Sequence, residues 1–347
     1  MENINFKKGF SLIEISIVLL IIGILISGIL VGQDLILDAK IRSAQNLTRT
    51  SPVNKIPDLT LWLDVNAEKS LITTEVADRC LEKYVNYQDL LGNNVICAWQ
   101  DINPQKSLGS DTSRKVALSI NTSHTIATMP IYVIDGIGGL PSLYFDGADY
   151  LISSIPQPQT TNVANTIFNV DMHNLFSPSE VSFFIVQQYE RPQSARAVLF
   201  HHLSNLFSIY NTRSGTDPNF SYDSRIDFAS TTSQTTATTT LPTSSSQIIS
   251  FIRENNSAQL YINSARQTIT NNTPTSFSNN LSAPISVGAA ISSATSGSPP
   301  VTTISATANT YFKGKISEII VFNRKISERE RVQVENYLLQ KYKIKKT

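Results

Sequence analysis

Residues 10–31 read FSLIEISIVLLIIGILISGILV, a run of 22 residues whose only charge is Glu14. As a helix it extends about 33 Å at about 1.5 Å per residue, which matches a hydrocarbon core of about 30 Å. Lys7 and Lys8 precede it, so the positive-inside bias keeps residues 1–9 in the cytoplasm and places the chain beyond the helix outside. A secretory signal has a shorter apolar core and a small-residue cleavage site, and no such site comes after Val31. Instead Gln33, Asp34, Asp38, Lys40 and Arg42 mingle with Leu35, Ile36, Leu37 and Ile41 at helical spacing. The pattern predicts a single transmembrane helix that runs on to about Asn46 and breaks before Ser51-Pro52.

Glu14 is expensive where it stands. An ionisable group inside an apolar span marks a functional position, although a carboxylate so near the end of the helix can also snorkel to the interface. Its neighbours sharpen the choice. Lys7-Lys8-Gly9-Phe10-Ser11-Leu12-Ile13-Glu14 resembles the processing site of type IV prepilins and pseudopilins. The resemblance implies that a prepilin peptidase cuts between Gly9 and Phe10 and methylates Phe10. Glu14 is then the fifth residue of the mature chain. In an apolar filament core the new α-ammonium needs a partner, and Glu14 of a neighbouring subunit can neutralise it. Many major pilins carry a proline in mid-helix, near what is Val31 here; its absence leans toward a pseudopilin or minor pilin. The implied partners are the peptidase, other pilin or pseudopilin subunits and the membrane. The implied location is the cytoplasmic (inner) membrane, single-pass, with the head outside, or a pilus at the cell surface.

The 347 residues suffice for two folding units, and 28 basic against 27 acidic side chains leave a net charge of +1. The excess belongs to the leader, where Lys7 and Lys8 face Glu2 alone. Such a balance argues against nucleic acid as a partner, since that needs a basic surface. Two cysteines cannot form a four-thiolate zinc site. Outside the cytoplasm Cys80 and Cys97 meet oxidising conditions and are expected to pair, which in the chain-entropy model gains about 3 kcal/mol.

Beyond residue 57 the pattern becomes short apolar runs between turn signals. Strands are expected at 59–63, 95–99, 131–134, 143–145, 181–186, 247–252, 259–262 and 315–322. The Ser/Thr-rich stretches 230–246 and 292–300 read as long exposed loops. Ser327-Glu328-Arg329-Glu330 is a capping box, and Val334, Tyr337, Leu338 and Tyr342 then share one helical face. The trailing Lys341, Lys343, Lys345 and Lys346 are expected to complement the helix end or stay solvated.

The ordered set Leu61-Trp62-Leu63-Asp64, Ala98-Trp99-Gln100-Asp101, Leu143-Tyr144-Phe145-Asp146-Gly147 and Phe312 to Phe322 resembles the concanavalin A-like, laminin-G-like jelly-roll superfamily. The expected fold is therefore an N-terminal transmembrane α-helix plus an all-β jelly-roll sandwich head closed by a C-terminal α-helix. The expected divisions are leader 1–9, helix 10–47, linker 48–57 and head 58–347. The superfamily includes lectins, adhesion modules and glycanases. A retaining glycanase needs two acids about 5 Å apart, which its superfamily members place as Glu-x-Asp-x-Glu on one strand. That triplet is absent and the strand bearing Glu318 has no second acid, so no enzyme is expected. The favoured reading is a displayed head that binds glycan or a surface partner. The alternatives are a purely structural pseudopilin head and a tethered glycanase. No cofactor is expected; calcium is the one ion considered, with Asp64, Asp101, Asp146 and Asp149 as its candidate ligands or as sugar contacts. The same aspartates read as turn formers, Asp146-Gly147 above all. His201 and His202 are adjacent and would face opposite ways on a strand, so they are read as an edge or loop pair and not as a metal site. Trp62 and Trp99 are read as core. Gly136-Ile137-Gly138 is read as a turn leading to the strand at Phe145.

Overall fold

The computed structural model describes residues 12–68, 70–72, 95–105, 116–119, 126–153, 179–190, 196–202, 207–214, 221–228, 230–237, 245–255, 257–272, 284–296 and 301–346. Within the first helix the side chains of 28–31, 33 and 34 also lie outside that description.

Helix α1 spans Leu12–Thr50. It stops where the chain must: Pro52 disfavours helical geometry at the residue before it, and Ser51 is extended at φ −62° and ψ 152°. A short 3₁₀ turn, Pro52–Lys55, comes next. The chain divides into two compact units, Met1–Ser43 and Ala44–Thr347. This moves the expected boundary. Residues 48–57 are not a loose linker, because Ala44, Val53 and Ile56 are buried in an apolar cluster with Trp62 and Val334, and Thr48 hydrogen-bonds into the same unit. A segment that buries apolar side chains belongs to the body that covers them.

The second unit is a β-sandwich with a C-terminal helix. One antiparallel sheet runs in the order Ala265–Arg266, Ser257–Ile262, Ser246–Glu254, Glu180–Tyr189, Lys313–Phe322, Ser142–Asp146, Ile131–Val133, and Leu59–Asp64 also pairs with Lys313–Phe322. Among the described residues the other sheet has ten strands, with Arg196–His202 lying between Phe207–Ser214 and Ile285–Val287. Every expected strand except the first half of 95–99 is present; there Val95 makes only an isolated bridge to Ile131, and the strand is Ala98–Gln100.

The first sheet is buried on both faces, and its sequence shows why. Successive strand residues point to opposite sides. Phe183 and Ile185 enter the core between the sheets, where the Phe183 and Phe200 rings meet edge to face at 5.0 Å. Phe184 and Val186 enter a second core beneath the C-terminal helix α2, Glu328–Tyr342. Leu61 and Leu63 against Trp62, and Ile319 and Val321 against Ile320 and Phe322, divide in the same way. Trp62 and Trp99 are both buried, as their apolar contexts imply.

Helix α2 starts on the expected capping box, with the Glu330 amide donating to the Ser327 hydroxyl and the Ser327 amide donating to the Glu330 carboxylate at 2.7 Å. Its apolar face, Val334, Tyr337, Leu338 and Tyr342, is buried. Gly138 sits beneath its end at φ +67°, where an added Cβ would lie 2.2 Å from the Tyr342 carbonyl oxygen.

Two expectations about loops are corrected. Ser230–Ala237 is a strand paired with Ser221–Phe228, and Ile291–Ser296 pairs with Val301–Ala306. Both are rich in threonine and serine, and β-branched threonine suits a strand even without a large apolar side chain. Residues 238–244 and 297–300 lie outside the described residues.

Candidate functional site

Two places carry chemistry. The first is the N-terminal helix. Leu12, Leu20, Ile24 and Leu25 are 83%, 64%, 64% and 59% exposed, and Glu14 stands among them, also exposed. A helix apolar on all sides satisfies itself only in lipid or against other apolar helices. Among the described residues no helix is long and apolar enough to cross a membrane. Gly9 and Phe10, the expected cleavage pair, lie outside the described residues.

The second place is a buried polar cluster beneath α2. Asp64 and Glu318 are direct partners across the Leu59–Asp64 and Lys313–Phe322 strands. The register of the second strand shifts between Ile316 and Glu318. That bulge places Ile316 in the inter-sheet core and turns Glu318 onto the face of Ile320, towards α2. Helix α2 supplies Lys341, whose side chain, like those of both acids, is fully buried. The Lys341 ammonium donates to Asp64 Oδ2 at 2.6 Å, Glu318 Oε2 at 2.7 Å and Thr48 Oγ1 at 2.9 Å. Thr48 in turn donates to Asp64 Oδ2 at 2.8 Å, and the Asn66 amide donates to Oδ1 at 2.9 Å. Glu318 also accepts from Trp62 Nε1 at 2.8 Å and from the Tyr337 and Tyr342 hydroxyls at 2.9 Å. Burial pushes the Glu318 carboxyl above the usual carboxylate range, with Lys341 pulling the other way. Burial and the neighbouring acids hold both phenols protonated.

Lys341 is thus not the solvated helix-end lysine that the trailing basic run suggested. The Glu318 strand does meet a second acid, but it comes from a strand far away in the chain. Fully enclosed and holding Lys341, that pair is closed to a sugar.

The four candidate aspartates do not converge. Asp64 is committed to the cluster above. Asp101 Oδ1 accepts from the amides of Trp62 at 2.9 Å and Asn103 at 3.0 Å, pinning a turn to the neighbouring strand. Asp146 Oδ1 accepts from the Ala148 amide at 2.8 Å, and Asp149 Oδ2 from the Asp146 amide at 2.7 Å, which is turn formation. Burial raises the Asp149 carboxyl to about 8. Among the described residues no group of three or more His, Cys, Asp or Glu side chains could hold a metal ion.

His201 and His202 are corrected from an edge or loop pair: both are buried on an interior strand, and His201 Nδ1 lies 2.6 Å from the Ser208 hydroxyl. Cys97 is buried and disulfide-bonded; Cys80, the other cysteine of the chain, lies outside the described residues.

Comparison with known proteins bears on the first place. Residues 4–30 match the prokaryotic N-terminal methylation motif. The chain therefore carries a prepilin-type N-terminal methylation motif in front of a β-sandwich head. Among solved structures it is similar to domain 4 of AbnA, a GH43 extracellular arabinanase from Geobacillus stearothermophilus, at 17% identity and TM-score 0.40, over 62% of this chain and 82% of that one. It is similar to the binding domain of Paraclostridial Mosquitocidal Protein 1 at 12% identity and TM-score 0.45, over 83% of this chain and 53% of that one. With Trypanosoma rangeli sialidase the identity is 10% and the TM-score 0.40, over 82% of this chain and 33% of the sialidase. No curated protein sequence matches.

Proposed function

We propose that the chain is a membrane-anchored, pilin-like or pseudopilin-like envelope protein that displays a non-enzymatic binding head. The observation that carries this reading is the methylation motif over residues 4–30, coincident with an apolar helix that bears Glu14. Prepilin peptidase cuts between Gly9 and Phe10 and methylates Phe10. The helix then holds the chain in the cytoplasmic membrane with the head outside, or packs into a pilus or pseudopilus, where Glu14 neutralises the α-ammonium of a neighbouring subunit. The exposed apolar side chains of α1 support a partner of that kind, since leaving them in water is unfavourable.

The head binds a surface partner, with glycan as the class implied by its lectin-like sequence pattern. The enclosure of Asp64 and Glu318 around Lys341 supports a non-catalytic head. A reducing-sugar assay over a glycan panel releases nothing on this reading. A glycan array with and without calcium gives the ligand, and an array with no binding leaves a head that only contacts other subunits.

The decisive experiment is on the leader. Coexpressed with a prepilin peptidase, the wild-type chain loses residues 1–9 and gains one methyl group by intact mass. Gly9→Asp keeps its full length. Equal processing of both, or of neither, removes the assignment.

A further inference from the structure

The cluster under α2 brings a primary amine and two carboxyl groups together in a site closed to solvent. Lys341, Asp64 and Glu318 are each 0% exposed at the side chain, and the amine lies 2.6 Å from Asp64 Oδ2 and 2.7 Å from Glu318 Oε2. These are two acids for one base, held by aromatic neighbours. As an ion cluster this is an expensive arrangement, because desolvating charges costs what their attraction must return. As reactants it is a favourable one.

We propose that Lys341 and Asp64 condense into an intramolecular amide, with Glu318 relaying the protons. The bond is a covalent strap from the last turn of α2 to the end of the Leu59–Asp64 strand.

Four observations carry this. The reacting groups are prepositioned, and such placement is worth effective concentrations on the order of 10⁵–10⁸ M. Burial disfavours charge, and it raises the Glu318 carboxyl while Lys341 pulls the other way, the direction that a proton relay needs. Donors already point at the oxygens on which charge develops, the Asn66 amide at Asp64 Oδ1 and the Thr48 hydroxyl at Oδ2. Finally, the product expels water and replaces a buried ion pair by a neutral amide, so the enclosure that makes the ions costly favours the bond.

The step balances without any further reagent. A proton passes from the Lys341 ammonium to Asp64, leaving a neutral amine and a neutral acid. The Nζ lone pair adds to Asp64 Cγ, and the C=O π pair moves onto oxygen. That oxygen takes the Glu318 proton while Nζ returns one to Glu318. Collapse of the tetrahedral carbon re-forms C=O and breaks the other C–O bond, whose hydroxyl leaves as water with a proton from Glu318. The remaining hydroxyl proton restores Glu318. One C–N bond is made, one water is released, and nothing is oxidised or reduced.

The test is the mass of the purified full chain after disulfide reduction. The strap predicts a mass lower than that of the sequence by one water, with tandem fragmentation of a protease digest placing the loss in a branched peptide joining Asp64 to Lys341. The denatured wild type, ringed from 64 to 341, migrates faster than Lys341→Met on a reducing gel. Glu318→Gln, which keeps hydrogen-bonding capacity without a transferable carboxyl proton, stays at the full mass. A wild-type chain at the full mass with separate Asp64 and Lys341 peptides overturns the proposal. So does a water loss mapped to a linear peptide, as a succinimide at Asp146-Gly147 would give. Equal condensation in Glu318→Gln overturns the relay.

Discussion

Helices α1 and α2 solve opposite problems. Helix α1 is apolar around its circumference from Leu12 to Ile26 and exposes those side chains. Helix α2 is polar on average, yet it buries Val334, Tyr337, Leu338 and Tyr342 against a sheet that its own chain supplies. Each carries a charge in an unexpected setting. Glu14 is exposed among apolar side chains, whereas Lys341 is fully buried between two acids. The difference teaches that burial decides what a charge must have beside it. Lys341, closed off from water, is held by Asp64 and Glu318 inside the head; Glu14 stands at an exposed position, and the proposed function gives it a role in assembly.

The sharpest way to break that comparison is to delete both charges. Lys341→Ala leaves Asp64 and Glu318 buried without their cation, and the orphaned acids alone lower the stability of the head by about 3–5 kcal/mol. Urea unfolding followed by tryptophan fluorescence reads this directly, since Trp62 donates to Glu318. Glu14→Ala leaves the same unfolding curve unchanged and the membrane insertion intact, but abolishes entry into filaments in a pilin-assembly assay. A head destabilised by Glu14→Ala, or indifferent to Lys341→Ala, would erase the distinction.

Gly138→Ala probes the support under α2. It places a side chain at φ +67° and 2.2 Å from the Tyr342 carbonyl oxygen, a combination expected to cost about 1–3 kcal/mol. The midpoint falls without any change in processing at Gly9.

The smallest effects lie at the start of α2. Ser327→Ala removes the cap of Glu330 and costs about 1 kcal/mol. Arg324, bonded to the Glu330 carboxylate, holds that group down at about 2, helped by the Ser327 amide. A carboxyl lowered on folding stabilises above its unfolded value, and that contribution disappears as pH falls towards 2. Glu330→Gln therefore costs stability at pH 7 and little near pH 2. Partial exposure keeps the slope modest. A difference between the two proteins that grows on acidification would contradict it.

Most of the head's strands were legible because their signal is local. Runs such as Val181–Val186 and Lys315–Phe322 send apolar residues to two buried faces, and a short, largely apolar, β-branched and aromatic run between turn signals reads as a strand from sequence alone. The capping box at Ser327 is equally local, since its bonds close within three residues. The Ser/Thr-rich strands were missed because backbone pairing, and not side-chain hydrophobicity, defines them. The turn roles of Asp101 and Asp146 were visible in Asp-Ile-Asn-Pro and Asp-Gly, and the structure gives both carboxylates backbone amides.

The buried cluster was invisible for two reasons. Asp64 and Glu318 meet only through strand register, and a period of two would place Glu318 on the face of Ile316. The bulge before Glu318 reverses that phase, and nothing in the residue types announces it. Lys341 was misread because a basic helix end usually faces water, and whether it does depends on which strands lie beneath it.

By itself, then, the sequence determined the N-terminal helix, the lone acid within its apolar run and the methylation motif, because hydrophobic length and a contiguous signal are properties of neighbouring residues. It also determined the alternation that makes a two-faced sheet. Only the tertiary structure decided that Thr48, Asp64, Glu318 and Lys341 share one dry site, because register, bulges and helix docking join residues that the chain keeps far apart.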